Sequence, residues 1–110
     1  MARSYRVIWT PVAQKDLESV ITFISQESLQ AASKTFHTIR TKASLLYRYP
    51  HRGRSLPEFK HIQGLSFREI VITPWRLIYR IKQNRVEILA FLDSRRDLAE
   101  LLFERLSRIS

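Results

Sequence analysis

The stretch Phe67–Leu98, FREIVITPWRLIYRIKQNRVEILAFLDSRRDL, decides how this chain folds. Three runs rich in β-branched, aromatic and aliphatic residues, Phe67–Ile72, Trp75–Lys82 and Arg85–Leu92, are separated by the short breaks Thr73-Pro74 and Gln83-Asn84. Such runs read as strands, and breaks this short allow only antiparallel hairpins. Successive strand side chains point to opposite faces. The middle strand therefore puts Trp75, Leu77, Tyr79 and Ile81 on one face, and Arg76, Ile78, Arg80 and Lys82 on the other. The first set is core material. The second predicts a cationic sheet face that needs an anionic counterpart.

The segments before this stretch supply the layer that buries the apolar face. Tyr5–Trp9 reads as a first strand, stopped by Thr10-Pro11, where Thr suits a helix N-cap and Pro the first helical position. Ala13, Leu17, Ile21 and Ile24, with Val20 beside them, recur at helical spacing. Asp16 and Glu18 lie near the amino end, where the helix dipole favours them. After a polar connection at Ser25–Ser28, a second helix is expected over Leu29–Tyr47. Its apolar seam is Leu29, Ala32, Phe36, Ile39, Ala43 and Leu46. Two helices joined so closely form an antiparallel hairpin. Pro50 ends it.

A loop is expected from His51 to Gly64, HRGRSLPEFKHIQG, a setting in which recognition residues concentrate. Past the third strand of the hairpins, Ser94 reads as the N-cap of a last helix, with Asp97 as a capping-box partner. Leu98, Leu101, Leu102, Leu106 and Ile109 form that helix's stripe. Phe103 sits off it, either exposed or touching another chain. The order is β-α-α-β-β-β-α: an α+β fold in one domain, 1–110, with an antiparallel-rich sheet, the helical hairpin on one face and a C-terminal helix.

Composition narrows the function. No apolar run approaches the ~18 residues that span a membrane, and the N-terminus MARSYRVIW lacks a signal-peptide h-region. Cysteine is absent, which excludes disulfides, thiolate zinc sites and cysteine nucleophiles and fits a cytoplasmic protein. Lys and Arg number 19 against 10 Asp and Glu, a net charge of +9. An excess of this size implies a nucleic acid or an acidic protein as partner. From Ser28 to Pro57 there is no acidic residue, while Lys34, Arg40, Lys42, Arg48, Arg52 and Arg54 are cationic.

The segments YRVIWTPVAQKDL, YPHRGRSLPEF, FREIVITPWRLIYRI and VEILAFLDSRRDL, in this order and spacing, resemble the RelE/ParE superfamily of bacterial type II toxin–antitoxin toxins over nearly the whole chain. The resemblance implies one of two activities. RelE-like toxins are endoribonucleases that cleave mRNA on the ribosome; ParE-like toxins inhibit DNA gyrase without being nucleases. Both are neutralised by a cognate antitoxin that wraps the toxin. The GRSLPEF wording and the terminal SRRDL look more like ParE and its plasmid-stabilisation relatives.

Metal-free RNA cleavage needs a base, an acid and cations for the phosphorane. By position, the cations of the RelE nucleases match Arg68, Arg76 and Arg95 here. The proton-transfer groups do not match: a second RelE cation falls on Ile70, the C-terminal tyrosine falls near Leu101, and a histidine found in some members falls on Asp93. His37, His51 and His61 read as surface residues, Tyr79 as core, and Glu69 and Glu87 as partners of cross-strand cations.

For Arg76 and Arg80 two readings stand: stems lying over apolar surface, or part of a docking patch. For Arg95 and Arg96, awkward near a helix start, the choice is between a local cluster with Asp93 and Asp97 and the same patch. The expectation is therefore a ParE-like gyrase inhibitor without catalysis. Arg54, Arg68, Arg76, Arg80, Arg95 and Arg96 would meet target or antitoxin, with no metal and no cofactor. Its partner would be an acidic, ParD-like antitoxin in a hetero-oligomeric complex, its carboxylates on the basic stretch Ser28–Pro57. The alternatives are a ribosome-dependent endoribonuclease and a basic nucleic-acid-binding domain without toxicity.

Overall fold

The computed structural model describes residues 4–59 and 66–109. The chain runs β1 (Arg6–Trp9), α1 (Pro11–Ser25), α2 (Leu29–Ser44), β2 (Arg54–Ser55), β3 (Phe67–Ile72), β4 (Trp75–Lys82), β5 (Arg85–Asp93) and α3 (Ala99–Ser107). The expected α+β order holds, with β2 as an addition inside the segment read as loop. A two-residue strand leaves no periodicity to read. The sheet order is β1-β5-β4-β3-β2, with β1 parallel to β5 and every other pair antiparallel.

Both helix starts follow from their caps. Thr10 Oγ1 accepts the Ala13 N–H at 3.3 Å and donates to the Ile88 carbonyl at 2.8 Å, so one hydroxyl caps α1 and ties it to β5. Ser28 Oγ accepts the Ala31 N–H at 3.0 Å and opens α2. The α2 helix ends at Ser44, and Leu45–Tyr47 tightens into a 3-10 turn.

The hairpin of α1 and α2 buries Ala13, Leu17, Ile39, Ala43 and Leu46 against Ile70, Ile72, Leu77, Tyr79, Val86, Ile88 and Phe91. Trp9 and Trp75 flank Phe91, with ring centroids 6.3 and 5.6 Å away. Of the expected α2 seam, Ala32, Ile39, Ala43 and Leu46 are buried, but Leu29 is 78% and Phe36 39% exposed. They lie toward one flank of the stripe.

Asp16 has a different task from dipole compensation. The β1 pairing stops at Trp9 opposite Ile88, which leaves the Phe91 N–H on an uncovered strand edge. Asp16 accepts it at 3.0 Å and also binds Arg105 Nη1 at 2.6 Å, joining α1, β5 and α3.

The second face of the sheet is covered too. Leu98, Leu102 and Leu106 pack with Leu56, Phe59, Ile78, Leu89 and Ala90. A β-bulge between β4 and β5 makes this possible: Ile78 pairs with Ala90 and Tyr79 with Ile88, so Leu89 is extra and joins Ala90 beneath α3. Nine residues make a marginal helix in water, so α3 depends on this burial. The face expected to be an open ladder of cations is therefore partly core. No helix among the described residues is long and apolar enough to cross a membrane.

Candidate functional site

The sheet distributes the six candidate arginines over two faces and a turn. Arg68 stands opposite Tyr79 in the β3–β4 register, and directly paired residues share a face. Tyr79 belongs to the core under the helical hairpin, so Arg68 projects to that side. Its Nη1 donates to the Gly53 carbonyl at 2.8 Å and the His51 carbonyl at 3.3 Å. Tyr79 completes the clamp: its hydroxyl donates to the Pro50 carbonyl at 2.6 Å and accepts the Gly53 N–H at 2.9 Å. Burial pushes the Tyr79 hydroxyl above its ordinary pKa, against the Gly53 hydrogen bond and the charges of Arg68 and Arg52. The ring packs in the core, as expected, and its oxygen fixes the turn at Pro50–Gly53.

Arg76 lies three positions from Tyr79 on the same strand and so points to the opposite face. It is buried. Its two terminal nitrogens bind the Glu58 carboxylate at 2.6 and 2.7 Å, and its Nε donates to Glu69. Glu69, with no exposed side chain, also accepts from Arg54 Nε at 2.6 Å. The result is a row Glu58–Arg76–Glu69–Arg54 in which two carboxylates cancel two guanidiniums. The hydrogen bond from Arg76 holds the Glu58 carboxyl below its usual range and outweighs desolvation; that same pair raises Arg76. The reading of Arg76 as an open docking cation is thus corrected. The Pro57–Phe59 turn buries Leu56 and Phe59 against the sheet and thereby lays Glu58 on the guanidinium. Sequence reasoning missed Glu58, although it is the first acidic residue after the acid-free stretch.

Arg80 donates from Nε to its cross-strand partner Glu87 at 2.7 Å, and this bond holds Glu87 below its usual carboxylate range. It lines a groove of about 600 Å³ between the start of α1, the sheet and α3, with Val12, Leu89, Leu101 and Ile109 as apolar wall. Glu69 and Glu87 both pair with cations, as the alternation implied.

Arg95 and Arg96 are not at a helix start. The Ser94 amide and hydroxyl both donate to the Pro74 carbonyl at 2.7 Å, so Ser94 closes a turn against the β3–β4 hairpin and α3 begins only at Ala99. Asp97 Oδ1 accepts the Ala99 N–H at 3.2 Å. Arg95 binds Asp93 through Nε at 3.0 Å and Nη2 at 2.6 Å, and this contact lowers the half-buried Asp93 carboxyl to about 2. Arg96 is exposed.

The three arginines that match nuclease positions do not converge. Arg68 and Arg76 occupy opposite faces. Arg95 sits at the Trp75 end of β4, since Asp93 pairs with Trp75, while Arg68 pairs four residues along at Tyr79, roughly 13 Å by strand rise. Ile70 is core and Leu101 is groove wall. His37 and His51 are exposed, and His61 lies outside the described residues. Among the described residues no group of three or more His, Cys, Asp or Glu could hold a metal ion.

Comparison with known proteins adds the following. Residues 7–98 match the family model described as the ParE toxin of the type II toxin–antitoxin system, parDE. Toxin ParE3 of Caulobacter vibrioides is 31% identical over 98 residues, covering 88% of this chain and 94% of that protein. Toxin RelE2 of the same organism is 32% identical over 84 residues, 76% of this chain and 88% of its own length. A structure from the chromosomal ParDE toxin–antitoxin system of P. aeruginosa superposes with a TM-score of 0.66 at 18% identity, covering 82% of this chain and 96% of that one. The free state of a doubly substituted E. coli toxin RelE gives 0.62 at 14% identity, covering 97% and 99%. These two establish the fold.

Proposed function

We propose that this chain, which belongs to the ParE toxin family of type II toxin–antitoxin systems, arrests growth by binding DNA gyrase, without catalysis of its own. The separation of Arg68 from Arg76 carries this reading. A phosphorane needs cations gathered around one phosphorus, together with an acid and a base. Here one arginine holds loop carbonyls beneath the helical hairpin and the other is neutralised by Glu58 and Glu69 on the far face. What remains toward solvent and suited to docking is polar and arginine-rich: Arg96, with Arg95, 73% exposed though paired with Asp93, beside it, and Arg54, 62% exposed though paired with Glu69. A cognate acidic antitoxin would neutralise the toxin by covering such surface in a hetero-oligomeric complex.

The second reading is a RelE-like endoribonuclease, favoured by the 32% identity to Toxin RelE2. Supercoiling by purified gyrase, run beside primer extension on translated mRNA with the same preparation, separates the two. Loss of supercoiling with intact message is expected. Specific cuts in the message with normal supercoiling would overturn the proposal.

A further inference from the structure

One end of the sheet gathers cations that the fold does not balance. In the strand registers Arg6 stands beside Arg85, and Arg85 beside Lys82, so like charges form one row across β1, β5 and β4. Their chain neighbours Val7, Val86 and Ile81 pack under the helical hairpin, so the row projects to the opposite face of the sheet. Neighbouring strands lie roughly 5 Å apart, which sets the stems within about 10 Å of one another. Like charges side by side on a sheet are destabilising. The next row holds one carboxylate, Glu87, and Arg80 takes it at 2.7 Å, while Arg85 Nη2 reaches it only at 3.5 Å. Arg6 and Lys82 are exposed and make no salt bridge among the described residues. Arg85 Nε is shut off from solvent with no acceptor among them. Gln83, in the turn beside Lys82, keeps a side chain at φ 59°, where glycine is less strained. Destabilising features gathered at one place mark a surface kept for binding rather than for stability.

We propose that this end of the sheet, with Arg6, Lys82, Gln83 and Arg85, binds the phosphate backbone of duplex DNA. Composition decides for a nucleic acid over a protein. The flanking Ser4, Gln83 and Asn84 are polar and exposed, and no apolar side chain occurs from Lys82 to Arg85. A protein interface needs an apolar centre. Phosphate contacts are made by arginine, lysine and amide side chains without one. A nucleic-acid strand also presents a continuous line of anionic charge, which a row of cations can follow whatever the base sequence. The choice of DNA over RNA rests on the functional reading above, in which the target enzyme itself works on duplex DNA. A toxin that also touches that DNA gains a second attachment at the same place.

The test is fluorescence anisotropy of the full chain on a random-sequence DNA duplex over a range of salt concentrations, with no gyrase present. Log affinity should fall against log salt with a slope of about −3, one phosphate for each cation of the row. Arg6→Gln and Lys82→Gln should each weaken binding roughly threefold or more at low salt and reduce the slope by about one. Lys34→Gln and Arg40→Gln remove the same charge from exposed positions on α2. They should change affinity by less than about twofold and leave the slope as it is. Urea denaturation should find both row variants at least as stable as the wild type, because a like-charge neighbour is gone. Equal losses in the α2 variants would reduce the effect to the net charge of +9 and overturn the proposal. Absence of wild-type binding would overturn it as well, and lowered stability of the row variants would return the row to the fold. Tighter binding to an RNA duplex, or equal competition by poly-glutamate, would give the surface to RNA or to an acidic protein instead. The functional reading fails separately: normal supercoiling by gyrase in excess wild-type chain would overturn it and leave the measured DNA affinity in place.

Discussion

The Glu58 carboxylate holds both terminal nitrogens of Arg76, at 2.6 and 2.7 Å, so the most central cation of the sheet already has its counter-ion within the chain. Behind it, Glu69 is buried and is shared between this guanidinium and Arg54. Truncating Arg76 would break the pairs with both Glu58 and the buried Glu69, leaving Glu69 only its bond to the half-exposed Arg54, whereas altering Glu58 leaves the inner pair intact. Arg76→Ala should therefore destabilise the fold by about 3–5 kcal/mol. Glu58→Gln, at the solvent side of the row, should cost about 1–2 kcal/mol. Urea denaturation of the two variants checks the order, and equal losses would contradict this assignment of roles.

The same row sets a pH dependence. Glu58 and Glu87 are both held below their ordinary value of 4.5 by arginine hydrogen bonds. In the unfolded chain they protonate first as pH falls, so the unfolded state binds more protons and stability declines. Their contribution is fully present above about pH 4.5 and is lost progressively as pH drops through the lowered folded values. Denaturation midpoints measured from pH 7 to pH 3 should fall below pH 4.5, and Glu58→Gln should flatten part of that slope.

Tyr79 and Gly53 form a lock that admits little change. Tyr79→Phe removes the hydroxyl that serves the Pro50 carbonyl and the Gly53 N–H, leaving buried polar groups unpaired at about 1–3 kcal/mol. A methyl at Gly53 would collide with the Tyr79 hydroxyl and come within 2.8 Å of the Glu69 carbonyl oxygen. Gly53→Ala should thus destabilise by a similar 1–3 kcal/mol, through overpacking. Thermal melts of the two single variants and the double variant should show strong non-additivity, because both act on one contact.

Gln83 offers the opposite case. Its φ of 59° lies in the left-handed region, at the first position of the two-residue turn between β4 and β5. That conformation costs a side chain roughly 1–2 kcal/mol, and glycine's greater freedom when unfolded offsets about 0.5–1 of it. Gln83→Gly should leave a net gain on the order of 0.5 kcal/mol, a rise in Tm of about 2–4 °C.

The strands from Phe67 to Asp93 were legible because period-two alternation and short breaks leave few alternatives, and Thr10 and Ser28 announced their helices by chemistry. Other features depend on what comes close in space. Periodicity marked Leu29 and Phe36 as apolar but could not say that the fold leaves them exposed. Ser94 has cap chemistry, yet the Pro74 carbonyl takes its hydroxyl and delays α3 to Ala99. The bulge at Leu89 breaks alternation inside a run that is apolar throughout, where alternation cannot be seen. The site followed the same rule. The arginines were visible one by one, but the division of Arg68 from Arg76 needed the register, and the neutralisation of Arg76 needed the Pro57–Phe59 turn.

The central claim is that this toxin acts by occupying its target rather than by turning over a substrate. The direct measurement is residual supercoiling activity as purified protein is titrated against a fixed, known amount of gyrase, with translated mRNA followed in parallel. Docking predicts inhibition that rises with the ratio of toxin to gyrase and saturates near stoichiometric amounts, with the message intact. Message cleaved to completion by substoichiometric toxin, with supercoiling unaffected, would contradict it.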